Sequence, residues 1–256
     1  MKTCPVCNSI FNPSRKDQVY CSKKCTYKQY NDKRPRKTMK RYGLANTARA
    51  IHIPEEQIEV IIGTLMGDAC LIKQTNNFHR ISLCHCEKQK SYLLLKKNTL
   101  SHIIHQANIN EYKKNNLFQY HVHSISHKDL TNIYGLLYRK TKFISRRFLN
   151  ILTPTSLLFW FGDDGSVIKA SGNAIVFCTD AFSLSENKAI KRWLWQEYDI
   201  DSRIMEVKGT YGKDKIYYRL RLTKEPTRRF FSVISNSPFF LDVVNVLPWK
   251  FPSEYF

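Results

Sequence analysis

Apolar residues recur at helical spacing through Ile58, Ile61, Ile62, Leu65 and Met66, behind Pro54-Glu55-Glu56, and predict a helix opening at the proline-acid start. A second proline-led run, Pro154-Thr155-Ser156-Leu157-Leu158-Phe159-Trp160-Phe161, is apolar nearly all round and predicts a buried helix. Downstream of each run the period changes to two. Phe118-Gln119-Tyr120-His121-Val122-His123 and Tyr217-Tyr218-Arg219-Leu220-Arg221-Leu222 alternate, so each predicts a strand with one apolar and one polar face. The same alternation puts Cys84 and Cys86 on one face of a half-buried strand and turns His85 away, which argues against a metal site built from the three. His102 and His105 fall in a predicted helix beside Ile103 and Ile104, with no acid-base partner in the sequence, and read as satisfied or exposed histidines.

The two helical runs end in segments that repeat one another, Gly67-Asp68-Ala69-Cys70-Leu71-Ile72-Lys73 and Asp163-Asp164-Gly165-Ser166-Val167-Ile168-Lys169. Aligned on Asp68 and Asp164, both carry an apolar residue at the third following position, Ile at the fourth and Lys at the fifth, and Asn77 and Asn173 follow at equal intervals. The repeat predicts two helices packed side by side, with Gly63 and Gly67 allowing close approach and the aspartates emerging together at the helix ends. Free carbonyls give a helix C-terminus partial negative charge, so paired carboxylates there favour a divalent cation. Oxygen ligands suit Mg2+, whose retained waters can serve as nucleophiles in phosphodiester hydrolysis.

Charge sharpens the picture. Across 256 residues, 41 Lys and Arg stand against 21 Asp and Glu, a net charge of +20 that favours a polyanionic partner, with nucleic acid ahead of a membrane surface. Apolar residues make up 43% and aromatics 13%, enough for a packed core. No apolar run is long enough to span a bilayer and no signal-peptide core follows Met1, so a soluble intracellular protein is expected. On the alternating strands, Gln119, His121, His123, Arg219 and Arg221 could present donors to base edges in a major groove. A merely solvated sheet face fits the same alternation, and both readings stay open.

Four of the eight cysteines form two close pairs, Cys4-Pro5-Val6-Cys7 and Cys21-Ser22-Lys23-Lys24-Cys25, with thirteen residues between them. Pairs at such spacing can share one tetrahedral Zn2+, and four sulfurs close the site against catalysis, which makes it structural. Metal binding would then supply most of the folding free energy of so short a segment. The very basic stretch that follows includes Arg34, Arg36 and Lys37 and reads as a phosphate-contacting tether rather than a plain solvated charge run.

Ile61-Ile62-Gly63-Thr64-Leu65-Met66-Gly67-Asp68-Ala69 and Leu157-Leu158-Phe159-Trp160-Phe161-Gly162-Asp163-Asp164-Gly165 resemble the two signature helices of the LAGLIDADG homing endonucleases, and the likeness spans about residues 54–256. Residues 1–30 separately resemble short zinc modules appended to phage and bacterial DNA-binding proteins. The first resemblance implies an α+β fold of two αββαββα halves, 54–150 and 151–256, related by a pseudo-two-fold axis and forming a DNA-binding saddle behind a basic linker at 31–53. It implies metals at Asp68 and Asp164, each centre cutting one strand of a long site in double-stranded DNA and leaving short 3′ overhangs. It also places Lys142 and Lys250, in the matching strings Lys142-Phe143-Ile144-Ser145 and Lys250-Phe251-Pro252-Ser253, near the cleaved phosphates. Lys73, Lys169, Arg203 and Tyr217 join the expected DNA contacts. Phe159 stands where many signature helices carry a small residue, so different packing in detail is expected there. Two motifs in one chain imply a monomer. The alternatives are an intron RNA maturase or DNA-binding regulator of the same fold that does not cleave. A plain zinc-finger transcription factor explains the charge and the cysteines but leaves the doubled aspartates unaccounted for.

Overall fold

The computed structural model describes residues 1–26, 51–74, 77–104, 109–114, 117–209 and 215–255. Arg34, Arg36 and Lys37 of the basic stretch, and His105, lie outside the described residues. The chain divides into two compact units, Met1–Ala50 and Ile51–Phe256.

In the first unit, β1 (Lys2–Thr3) pairs antiparallel with β2 (Ile10–Phe11). The turn between them closes through Cys4 N–H to Ser9 O at 2.9 Å and Asn8 N–H to Cys4 O at 2.8 Å. Asn8 takes the left-handed φ of 58° that this turn requires, a conformation Asn tolerates better than most residues.

The second unit runs α1 (Glu55–Met66), β3 (Cys70–Lys73), β4 (His79–Cys86), α2 (Lys90–Thr99), β5 (Ile109–Lys114), β6 (Leu117–His123), α3 (Lys128–Leu137) and a short α4 (Arg146–Leu149). It then repeats the order with α5 (Pro154–Asp164), β7 (Gly165–Ile168), β8 (Ala174–Phe177), α6 (Leu184–Tyr198), β9 (Arg203–Lys208), β10 (Ile216–Leu222), α7 (Lys224–Ile234) and α8 (Phe240–Val246). Each αββαββα set makes one antiparallel four-stranded sheet, β3-β4-β6-β5 and β7-β8-β10-β9, with its strands in the same relative order. This is the α+β architecture the resemblance implies.

Local chemistry explains the helix starts. Glu55 and Glu56 occupy the first turn of α1, where the helix dipole favours acids. Thr153 caps α5 by accepting the Ser156 N–H, and Pro154 takes the first helical position, where no N–H is needed. From Thr155 to Asp163 every residue of α5 is buried, as its all-round apolarity predicts. The paired asparagines prove to be turn residues: Asn77 and Asn173 sit between the strands of equivalent hairpins with φ of 62° and 56°.

Each sheet packs one face on its helices. Tyr120 and Val122 of β6, Ile81 and Leu83 of β4, and Leu220 and Leu222 of β10 are buried in one continuous core that also holds α1 and α5. Phe161, Phe177, Phe230 and Phe231 cluster in its second half at ring-centroid separations of 5.3–6.0 Å.

Candidate active site at the helix crossing

Where α1 and α5 lie against each other, the backbones are too close for side chains between them. A Cβ on Gly63 would stand 2.3 Å from the Ser156 carbonyl oxygen, and one on Gly67 would stand 2.3 Å from the Asp163 Cβ. Ser156 Oγ also donates to the Glu59 carbonyl at 2.9 Å, tying one helix to the other. The small residue facing Gly63 is therefore Ser156. Phe159 turns instead toward Tyr92 and Phe239, at ring separations of 6.1 and 5.9 Å, which is how α5 tolerates a bulky residue at that signature position.

This packing brings Asp68, just past the end of α1, and Asp164, the last residue of α5, into one electrostatic site. Burial, then the charges of Asp163 and Asp68, push the Asp164 carboxyl up to about 8, against the pull of Lys142 and Lys250. Asp68 is raised for the same reasons, burial and then Asp163, although its side chain remains 41% exposed. Carboxylates crowded until ionisation is disfavoured match a place where a cation supplies the missing charge, and hard oxygen donors fit Mg2+.

The two lysines carried over from the resemblance reach the same place from opposite halves. Lys142 Nζ donates to the Gly67 carbonyl at 2.9 Å, beyond the end of α1. Lys250 Nζ donates to the carbonyls of Gly162 and Asp163 at 2.6 and 3.0 Å, at the end of α5. Each thus binds the negative pole of its own half's helix. Burial lowers both from the usual ammonium range, while the aspartates hold them up.

Three further residues belong to the site and were not picked out from the sequence. Asp163, with a fully buried side chain, accepts an ion-pair hydrogen bond from the equally buried Lys96 and receives the Asp68 N–H at 3.3 Å. Lys96 Nζ also lies 3.1 Å from His85 Nε2. His85 does turn away from Cys84 and Cys86, as alternation predicts, but it turns into the site, with Nδ1 3.1 Å from Gln89 Oε1 and 3.7 Å from Asp68 Oδ2. Burial, then Lys96, lowers His85 to about 3, so its ring is neutral. Asp163 beside Asp164 could have flagged itself as a second carboxylate at the helix end. Lys96 and His85 gave no such signal, because only the fold of β4 and α2 against α5 brings them there.

The remaining expected contacts divide by sheet face. Cross-strand register puts Gln119 opposite Cys86, His121 opposite Cys84 and His123 opposite Ser82, so these side chains share the face away from the core. In the second sheet Arg203, Tyr217, Arg219 and Arg221 share the corresponding face. Several polar atoms there lack a protein partner: His123 Nδ1 and Arg221 Nε, together with Arg80 Nε on the same face as His123, are buried and unpaired. Arg80 is a candidate the alternation of β4 could have supplied. Arg219 differs, since Asp180 holds it through two hydrogen bonds of 2.7 and 2.6 Å. Lys73 pairs with His79, on the face opposite Gln119, and Lys169 stands exposed just past β7.

In the N-terminal unit the four cysteine sulfurs lie within 4.8 Å of one another. Cys7 and Cys21 sulfurs are 3.4 Å apart, and Cys21 and Cys25 sulfurs 3.6 Å. Four sulfurs around a tetrahedral zinc would stand about 3.8 Å apart, so the cluster fits one ion. Backbone hydrogen bonds, first from Cys21, lower the Cys4 thiol to about 6, whereas Cys21, hemmed in first by Cys7, is raised to about 12. Four thiolates this close require a cation.

Fold and site together define an α+β protein with two matched sheets and a shared pair of carboxylates at the ends of two crossing helices. A family profile described as the LAGLIDADG DNA endonuclease family matches residues 58–230, and the chain belongs to that family. Among solved structures, the homing endonuclease I-WcaI bound to its DNA recognition sequence is similar, with a TM-score of 0.62 and 17% identity over 81% of this chain and 88% of that one, a likeness of fold. Among curated proteins, Protein RecA of Mycobacterium gastri is 27% identical over 165 residues, 59% of this chain and 39% of its own length. Protein RecA of Mycolicibacterium chitae is 27% identical over 180 residues, 65% and 41% of the respective lengths. The chain thus spans about two fifths of the length of these relatives. Among the described residues, no helix is long and apolar enough to cross a membrane.

Proposed function

We propose that this chain is a Mg2+-dependent, site-specific endonuclease that cuts both strands of duplex DNA as a monomer and leaves short 3′ overhangs, with Asp68 and Asp164 as metal ligands. The observation that carries this reading is the meeting of the two aspartates at one helix crossing, with Asp164 raised to about 8 by burial and by the charges of Asp163 and Asp68. Mg2+ bound there would supply Lewis acidity and an activated water for phosphodiester hydrolysis. Lys142 and Lys250 would stabilise negative charge developing on the cleaved phosphates. The sheet faces carrying Gln119, His121, His123, Arg203, Tyr217 and Arg221 are the proposed groove-reading surface. Their unpaired polar atoms, His123 Nδ1 and Arg221 Nε, support it, because a buried polar atom without a partner is costly until a ligand satisfies it.

The test is cleavage of a randomised duplex library with Mg2+ by the wild type, Asp68→Asn and Asp164→Asn. The expected result is one long site cut by the wild type, with neither variant making double-strand breaks while both still bind. A wild type that binds DNA or intron RNA tightly and cuts nothing would instead be a maturase or regulator of this fold.

For Cys4, Cys7, Cys21 and Cys25 we propose structural zinc. Elemental analysis of purified protein is expected to find one zinc per chain, and Cys21→Ser to lose it while DNA cleavage persists with weakened binding. Zinc-free protein with an ordered N-terminal unit would overturn this assignment.

A further inference from the structure

Arg219 lies on β10, an inner strand of the second sheet, and shares its outward face with Tyr217 and Arg221. Its side chain, 35% exposed, donates from Nε to Asp180 Oδ1 at 2.7 Å and from Nη2 to Asp180 Oδ2 at 2.6 Å. That contact uses one edge of the planar fork. The outer edge, made of Nη1 and the second hydrogen of Nη2, still carries two parallel donors. The Cys178 thiol also stands beside both groups, but burial, then Asp180, keep it protonated, and a thiol is only a weak acceptor.

Asp180 is itself fixed. It follows Thr179 in the turn after β8, and the buried Thr179 hydroxyl lies 2.6 Å from Asn187 Oδ1 and 2.9 Å from the Tyr218 carbonyl oxygen. Tyr218 directly precedes Arg219, so the turn and the arginine are tied to the same stretch of β10. The Arg219 guanidinium holds the Asp180 carboxyl below the usual carboxylate range, so the pair is ionic. A long, flexible side chain is thereby oriented before any ligand arrives, and binding need not order it.

The pairing also selects the ligand. Asp180 offsets the charge of Arg219, so a phosphate at the outer edge would gain little attraction and would face a second anion. A neutral base edge meets no such penalty. In the major groove only guanine sets two acceptors, O6 and N7, side by side to match two parallel donors, whereas adenine places a donor beside its N7. The first sheet is built differently. Cys70 pairs with Ser82 as Ser166 does with Val176, and Leu83 pairs with Val122 as Phe177 does with Leu220, so His121 is the counterpart of Arg219 and Cys86 that of Asp180.

We propose that Asp180 is a positioning residue that presents the outer edge of Arg219 to a guanine, so that one G·C pair is read in one half of the target. The proposal rests on the reading of the sheet faces as a DNA-binding surface, but not on cleavage.

The test is competitive binding of the full chain to a randomised duplex library without Mg2+, so that binding is read apart from cutting, for the wild type, Arg219→Ala, Arg219→Lys, Asp180→Ala and the double alanine variant. The wild type is expected to prefer guanine at one position by about 5–150-fold, the usual range for a bidentate contact. Arg219→Ala should lose that preference and keep the rest, and Arg219→Lys, which keeps the charge without the fork, should lose it too and decides the matter if the alanine variant does not fold. Asp180→Ala is expected to lose most of the same preference while binding unrelated DNA more tightly, because an anion has left the surface, and the double variant should discriminate no worse than Arg219→Ala. Tighter binding by Asp180→Ala with the guanine preference intact would leave Asp180 a mere charge. Weakening by Arg219→Ala that is equal for all sequences, with a shallower salt dependence, would make Arg219 a phosphate contact. Either result overturns the proposal while the nuclease reading stands. A wild type that shows the guanine preference and cuts nothing when Mg2+ is added removes the nuclease reading alone, whereas one with no base preference overturns the proposal and the groove-reading surface together.

Discussion

Asp164→Asn is expected to stop double-strand cleavage and, without Mg2+, to make the fold more stable at pH 8.5 by several kcal/mol, with roughly 6 kcal/mol as the ceiling set by the rise from 3.8 to about 8, which moves the melting temperature by on the order of 10 °C. The sign follows from where the proton resides. Asp164 is held protonated to about 8 in the native state by burial and by Asp163 and Asp68, whereas the model value for the group is 3.8. Between those limits the folded chain keeps a proton that the unfolded chain has released, so wild-type stability falls as pH rises from roughly 4 to roughly 8. Asparagine has nearly the shape of the protonated acid and never ionises. The variant should match the wild type near pH 4 and draw ahead of it as pH rises. Adding Mg2+ should reverse the order, stabilising the wild type by satisfying the charge and leaving the variant nearly unmoved. Thermal melts at pH 4.5, 6.5 and 8.5, with and without Mg2+, read all of this, and superimposable wild-type and variant melts at pH 8.5 would sink it. These outcomes would set activity and stability in direct opposition at this residue, as at many active sites.

Gly63→Ala is expected to destabilise the second unit by about 3 kcal/mol and to impair cleavage more than DNA binding. The added Cβ would meet the carbonyl oxygen, carbonyl carbon and Cα of Ser156 at 2.3, 2.8 and 2.8 Å, all of them backbone. No rotamer change can relieve such a contact, so α1 and α5 must separate, and the aspartates at their ends separate with them. Gly135→Ala makes the control. That glycine also lies within a helix, α3, but its Cβ would meet nothing within 4 Å, so the substitution should stabilise by up to about 1 kcal/mol through helix propensity. Denaturant unfolding of both variants checks the pair, and a Gly63→Ala midpoint equal to wild type would show that the crossing is softer than its geometry implies.

The doubled segment at Asp68 and Asp164, the proline-led helices before them and the period-two strands after them were all legible in the chain, because each is a local pattern. Helix and strand periodicity follow from backbone geometry, and the paired Asn77 and Asn173 mark left-handed turns that few other side chains enter. Resemblance to the signature helices then supplied the order αββαββα, repeated, which the structure shows.

What lay behind Asp68 was not legible. His85 was expected only to turn from its neighbouring cysteines, and it does, but alternation says which way a side chain points and not what stands there. Lys96 is one lysine among many in a chain of net charge +20, and nothing local distinguishes it from a solvated one. Burial against Asp163 does, because an ammonium and a carboxylate in the core persist only as partners. Phe159 makes the same point, since only the placement of Tyr92 and Phe239 shows how a phenyl ring fits beside a close helix contact. The chain alone determined the signature helices, the period-two strands, their repetition and the doubled carboxylates, all of them set by interactions within a few residues, whereas His102, expected in a helix, lies in a turn just past the end of α2. The tertiary structure alone decided that Ser156 meets Gly63 and that Lys96 and His85 meet beside Asp163, because both depend on contacts between segments far apart in the chain.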